Sequence, residues 1–208
     1  MTPEAFAERV PSLWRVSQKG SAEGIRKHGL LTAAQLAEMI DADITDRRPR
    51  PIHGTLPDGT KIAISDNGPL SVKRLAGVLD DGLTPTDWIA MLNERVFLWP
   101  DRTMGANNAG ARAAMNLSIE WHRFDTLKLL APVWDRVEIA PFNTGATVHV
   151  PPRRGRGTFT PLAGLDLDAW RRRRRMAGIV KGLDNVKEVT IRGGAAHAGR
   201  ALAEILSG

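Results

Sequence analysis

The chain has 208 residues, 42% hydrophobic and 25% charged, with a formal net charge of +6. That composition suits a single globular domain, residues 1–208, built on one core, and it excludes a disordered chain. No apolar run approaches the roughly 18 residues of a membrane span, MTPEAFAERV lacks the apolar centre of a signal peptide, and cysteine is absent, so the expected compartment is cytoplasmic with no membrane partner.

Pro3 to Val10 reads as a short amphipathic helix with Phe6 and Val10 inward, stopped at Pro11. Leu13, Trp14 and Val16 predict a short buried strand that also carries Arg15 and Ser17. Ser21 caps a helix from Ala22 to His28, which Gly29 ends. A strand with polar side chains among apolar ones, turning through small residues into a helix, can floor a nucleotide pocket. His28 is most simply a helix C-terminal residue favoured by the dipole. Thr32 and Gln35 form a capping box for a helix with Leu36, Met39 and Ile40 on one face. Asp41 to Pro57, rich in proline and arginine, reads as a surface loop, either a solvated linker or a mobile lid.

Leu56 to Ile64 carries the Asp58-Gly59 signal of a hairpin. Helices follow over Ser71 to Leu79 and Leu83 to Leu92, the second opening with Thr84, Pro85 and Asp87 in cap positions. Asn93 to Trp99 is too continuously apolar for a one-sided strand, so both faces are expected to be covered. Ala109 to Ser118 reads as helix, His122 to Thr126 as a strand entering the helix of Leu127 to Leu130, and Val133 to Ala140 as strand. Phe142 to Gly145 is a turn. Pro151 to Gly157 is expected to be an exposed basic loop before a strand from Thr158 to Leu162. Asp166 caps a helix bearing Trp170 and five arginines, Val186 to Ile191 is a strand, and Ala195 to Leu206 is expected to be a terminal helix. Trp99, Trp121 and Trp134 read as core or rim residues.

The charge is uneven, because residues 150–208 hold 12 Lys and Arg against 5 Asp and Glu. Arg153, Arg154 and Arg156, with the run Arg171, Arg172, Arg173, Arg174 and Arg175, form a candidate sequence-independent nucleic-acid surface. The alternative is a solvated charged face. Five scattered histidines without cysteine give no metal ligand set.

Leu13 to Leu31, LWRVSQKGSAEGIRKHGLL, resembles the opening of the ADP-ribosyltransferase superfamily, above all its DarT-like branch, where a strand L-Y/W-H-[I/V]-T/S precedes a helix ending in HGL. LTPTDWIAMLNERVFLW, FDTLKLL, VEIAPFNTGAT and PPRRGRGTFTPL are similar, in order, to blocks of a bacterial domain family of unknown function that lies near that branch. The resemblance runs from Pro3 to about Gly194. It implies an α+β fold with a split mixed or antiparallel sheet core and flanking helices, NAD as substrate, and ADP-ribosyl transfer to nucleic acid or another anionic target. A non-catalytic module on the same fold, binding nucleic acid or a phosphorylated ligand, is the alternative.

NAD cleavage passes through an oxocarbenium-like state, so the fold implies a carboxylate beside the ribose. Arg15 stands where DarT-like members carry histidine. Another branch of the superfamily uses arginine there, with a Ser-Thr-Ser strand and a late glutamate. In that pattern Arg15 and Ser17 grip NAD, Thr158 and Thr160 stand for the outer residues of Ser-Thr-Ser, and Glu188 is the late glutamate. Glu138, ahead of the Asn143-Thr144-Gly145 turn, is the rival carboxylate. Both glutamates also admit the plainer reading of strand-edge or ion-pair residues. Arg95 either clamps the pyrophosphate or caps the helix that ends at Leu92. With no tyrosine in the chain, the His-Tyr-Glu form of the site is excluded.

Overall fold

The computed structural model describes residues 1–148, 150–178 and 185–207, and these form an α+β structure whose sheets are antiparallel throughout. Local chemistry sets most of the helices. Helix α1 (Pro3–Arg9) starts where the Thr2 hydroxyl accepts from the Ala5 N–H, and it buries Phe6. Strand β1 (Ser12–Gln18) leads into α2 (Ser21–His28), and α3 (Ala33–Met39) begins at the Thr32–Gln35 capping box. The hairpin β2 (Ile52–Thr55) and β3 (Lys61–Ile64) turns at Asp58-Gly59. Helices α4 (Val72–Ala76) and α5 (Pro85–Asn93) follow, the latter from a reciprocal Thr84–Asp87 box, and β4 (Arg95–Leu98) comes next.

Helix α6 (Ala106–Ala114) precedes β5 (Ile119–Asp125), α7 (Thr126–Leu130) and β6 (Val137–Ala140). The chain then runs through β7 (Thr160–Pro161), α8 (Leu167–Met176), β8 (Glu188–Arg192) and β9 (Leu202–Ser207). Besides the two-stranded β2-β3 sheet there are two larger ones, with the orders β1-β5-β9 and β4-β8-β6-β7. They meet at one bridge, where Trp14 and Trp99 exchange N–H to C=O bonds of 2.8 Å each. Beneath both sheets a shared core joins Leu13 and Phe124 of the first to Leu98, Ile139, Val189 and Ile191 of the second. Each such buried aliphatic side chain contributes about 1.5–3 kcal/mol.

Long-range contacts hold both ends of α2. No side chain at Gly20 caps α2; instead the Glu120 carboxylate on β5 accepts from the Gly20 and Ala22 N–H groups at 3.0 and 2.8 Å. His122 also reaches Glu120, at 2.8 Å. At the other end Gly29 has φ +79° and faces the Ala195 and Ala196 backbone, which a Cβ would strike, and Leu30 bridges Ala195 through reciprocal backbone bonds.

Several expectations are corrected. Ala195 to Leu206 is not a helix: a 3-10 turn at Ala198–Ala201 leads into β9, because the open side of β5 supplies pairing that outweighs the helix propensity of Ala, Leu and Glu. The first half of Val133–Ala140 is 3-10 (Ala131–Arg136), opened by Pro132. Thr158 closes another 3-10 turn, its hydroxyl accepting from the Gly155 N–H, and so only Thr160 and Pro161 of that segment pair as strand. The Asp41–Pro57 stretch lies largely at the surface, as expected, but it is also fastened to the fold. Its Ile52–Thr55 portion is β2, and Arg48, 8% exposed, donates to Asn93 Oδ1 and the Ser65 carbonyl. Among the described residues no helix is long and apolar enough to cross a membrane.

Candidate functional site

A cleft of about 490 Å³ is lined by residues from both of the larger sheets and from β3, within the range of small-molecule sites. Strand β1 contributes Arg15, β4 contributes Arg95 and Phe97, β8 contributes Glu188 and α6 contributes Arg112. A smaller lobe of about 90 Å³ shares Arg15 and Arg112 with it and adds Ser17 and His28. The two arginines therefore stand where the lobes join.

Arg15 donates through Nη1 to the Phe97 carbonyl at 2.9 Å, and among the described residues no carboxylate lies within ion-pair distance. Burial, with the charge of Arg112 beside it, lowers its pKa to about 10, so it stays cationic at neutral pH. Arg112 is 7% exposed; it donates through Nε to Asn108 at 2.8 Å and has Asp66 at 3.7 Å. Its pKa is lowered by burial while Asp66 opposes the shift. Sequence reasoning missed Arg112. The available signal was a lone arginine in a helix otherwise made of alanine, glycine and asparagine, where a cation has no carboxylate on its own helix.

Glu188 is 3% exposed, and its Oε2 accepts from the Thr144 hydroxyl at 2.7 Å and the Thr144 N–H at 3.1 Å. Burial pushes its carboxyl up to about 7, even though the Thr144 donors and the charges of Lys187 and Arg154 favour ionisation. A group with this midpoint exchanges its proton near neutral pH.

The other glutamate is placed differently. Glu138, 8% exposed, does not line the cleft and is held by Arg95 through Nε at 2.7 Å and Nη2 at 3.2 Å. Arg95 also donates through Nη1 to the Met91 carbonyl, in the last turn of α5, at 2.6 Å, and its guanidinium lies 4.2 Å from the Phe159 ring centre. Its edge lines the cleft, and the three hydrogen bonds it makes, one from each nitrogen, go to groups of the protein and leave two of its five N–H donors. Thr158 and Thr160 do not line the cleft.

Residues 11–202 match a family of unknown function, DUF7002. The chain belongs to that family. No curated protein and no solved structure matches it. The DUF7002 match takes in every cleft residue named above, from Arg15 to Glu188, and leaves out nearly all of β9.

Within this DUF7002 chain the basic residues do not form one surface class. The expected exposed loop holds for Arg153 and Arg156 but not for Arg154, which is 1% exposed. Arg153 pairs with Asp80. On α8, Trp170 is buried, Arg174 lies 5.0 Å from its ring, and Arg171 is 4.0 Å from Asp168, which Arg9 also holds. Arg172, Arg173 and Arg175 are exposed. Among the described residues no group of three or more His, Asp or Glu is arranged to hold a metal.

Proposed function

We propose that this DUF7002 protein takes NAD as a substrate in the cleft and is an ADP-ribosyltransferase of the superfamily its opening strand and helix resemble. The observation that carries the reading is the sharing of one cleft by Arg15, a cation without a carboxylate partner among the described residues, and Glu188, a buried carboxyl that ionises at about 7. Arg15 and Arg112 supply two positive charges for a diphosphate, and a planar guanidinium matches phosphate oxygens in pairs. Ser17 adds a hydroxyl in the adjoining lobe.

In this mechanism the bond between the ribose and nicotinamide breaks, and nicotinamide leaves with the electron pair. Ionised Glu188 stabilises the positive charge that develops on the ribose, and a nucleophile of the acceptor forms the new bond to the same carbon and gives up its proton to solvent. Glu188 must be ionised for this role, so nicotinamide release should rise with pH through about 7.

Calorimetric titration with NAD and an assay of nicotinamide release test the reading. Wild-type protein should bind NAD, Arg15→Ala should lose the binding heat, and Glu188→Gln should bind but release no nicotinamide. No binding at millimolar NAD would overturn it.

A second reading is favoured by the exposure of Arg172, Arg173 and Arg175 on α8, a surface suited to nucleic-acid phosphates. On that reading nucleic acid is the acceptor. Salt-dependent nucleic-acid binding with no nicotinamide release would instead favour a binding module without catalysis.

A further inference from the structure

Arg154 is among the largest fully buried side chains, yet it lines no wall of the cleft. Its backbone is fixed first: the Arg154 N–H donates to the Val78 carbonyl and the Asp80 N–H to the Arg154 carbonyl, both at 2.8 Å. The guanidinium lies 4.9 Å from the Phe142 ring centre and 5.7 Å from that of Trp88. Nη1 then donates to two carbonyls of the turn opposite, Thr144 at 3.1 Å and Ala146 at 3.0 Å, while Nε donates to Pro152. Trp88 Nε1 reaches the same Thr144 carbonyl at 3.3 Å. Thr144, itself fully buried, turns its N–H and hydroxyl the other way, onto Glu188 Oε2.

A charged side chain buried without a carboxylate partner is costly, and a turn whose carbonyls point inward needs donors. Here Nε and Nη1 supply the donors those carbonyls need, while Nη2 is buried with no hydrogen-bond partner among the described residues. We propose that Arg154 is a positioning residue: by bracing the Thr144–Ala146 turn it aims both Thr144 donors at Glu188 and so fixes that carboxyl in the cleft wall. The inference deepens the ADP-ribosyltransferase reading, which supplies the role of Glu188, but its geometry does not depend on NAD.

The test is therefore read without substrate. The carbon-13 signal of the Glu188 carboxyl is followed against pH in the full chain, assigned by its loss in Glu188→Gln. Thr144→Val keeps the shape of the side chain and removes the hydroxyl. Loss of a donor to the ionised form should raise the Glu188 midpoint, by about one pH unit for one such bond. Arg154→Lys keeps the charge but not the two-carbonyl reach of the guanidinium, and it should raise the midpoint in the same direction. Because the two residues act through one turn, the double variant should shift it by less than the sum of the single shifts.

A merely structural role would lower the melting temperature of Arg154→Lys and leave the Glu188 midpoint in place, and that result would overturn the proposal. If neither Arg154→Lys nor the double variant folds, the wild-type chain decides. The Thr144 amide and the Arg154 guanidinium signals should titrate with the carboxyl's midpoint, and a different midpoint for either would overturn the coupling. A shifted midpoint in a protein that does not bind NAD would retain the positioning role and remove the transferase reading; NAD turnover with an unmoved midpoint would do the reverse.

Discussion

Glu188 carries the largest upward shift among the carboxyls described, and the shift has a consequence for stability as well as chemistry. Unfolded, it ionises near its ordinary value of 4.5; folded, burial moves it to about 7. Between those values the folded protein holds a proton that the unfolded chain has released. The sign follows: stability contributed by this group is present below about 4.5 and is lost as pH rises towards 7. The loss is on the order of 3 kcal/mol for a fully buried carboxyl, since each tenfold change in proton affinity corresponds to about 1.4 kcal/mol. Glu188→Gln removes the titration, so the variant should gain on the wild type between pH 5 and pH 8 in urea unfolding. Other titrating groups are common to both proteins and cancel in the difference. Parallel stability curves would show that the carboxyl is not desolvated as described.

Elements bring a different set of residues into play, because some side chains serve the sheet rather than the cleft. Arg95 on β4 and Glu138 on β6 lie on either side of β8, and their bidentate pair crosses the central strand. Breaking a buried ion pair on one side costs about 3–5 kcal/mol, because the remaining charge is left without its partner. Glu138→Gln should therefore lower the urea midpoint sharply. Arg95→Met with Glu138→Leu should recover most of the loss, as apolar replacements of similar volume often do. A Glu138→Gln protein with wild-type stability but no nicotinamide release would transfer the carboxylate role from Glu188 to Glu138.

The same scale shows what was legible in the sequence. The Thr32–Gln35 and Thr84–Asp87 boxes lie within one helical turn, so the residues that make each bond are neighbours in the chain. The Asp58-Gly59 hairpin is equally local. The α2 cap is not, since Glu120 arrives from about a hundred residues away and Ser21 spends its hydroxyl on Gln18 instead. β9 was illegible for a related reason: its sequence favours helix, and only the open side of β5 makes it a strand. Arg154 looks like surface in PPRRGRG, because nothing in that string reveals the carbonyls of Thr144 and Ala146 that enclose its guanidinium. Arg15, Ser17, Arg95 and Glu188 were marked by their resemblance to a family pattern; that three of them share the larger cleft depends on pairings that cross much of the chain.

At the scale of the whole molecule, charge is distributed over two regions with no residue in common. Arg15 and Arg112 are held in the cleft, whereas the arginines of α8 lie on a helix that contributes no residue to it. Trp170 anchors α8 in the shared core, and Asp168 engages Arg9 of α1, so the helix is fixed while Arg172 and Arg173 remain exposed. Phosphates neutralised there release counterions, and binding to duplex DNA weakens with salt by a slope of about 0.9 for each phosphate engaged. Replacing Arg172 and Arg173 with alanine should therefore reduce the slope of log affinity against log salt by about two. The same double variant should leave NAD affinity unchanged, because neither residue reaches the cleft. Binding isotherms at several salt concentrations, run beside the NAD titration, separate the two regions. An unchanged slope would remove α8 from nucleic-acid recognition, and a parallel loss of NAD binding would mean that the helix supports the cleft it does not line.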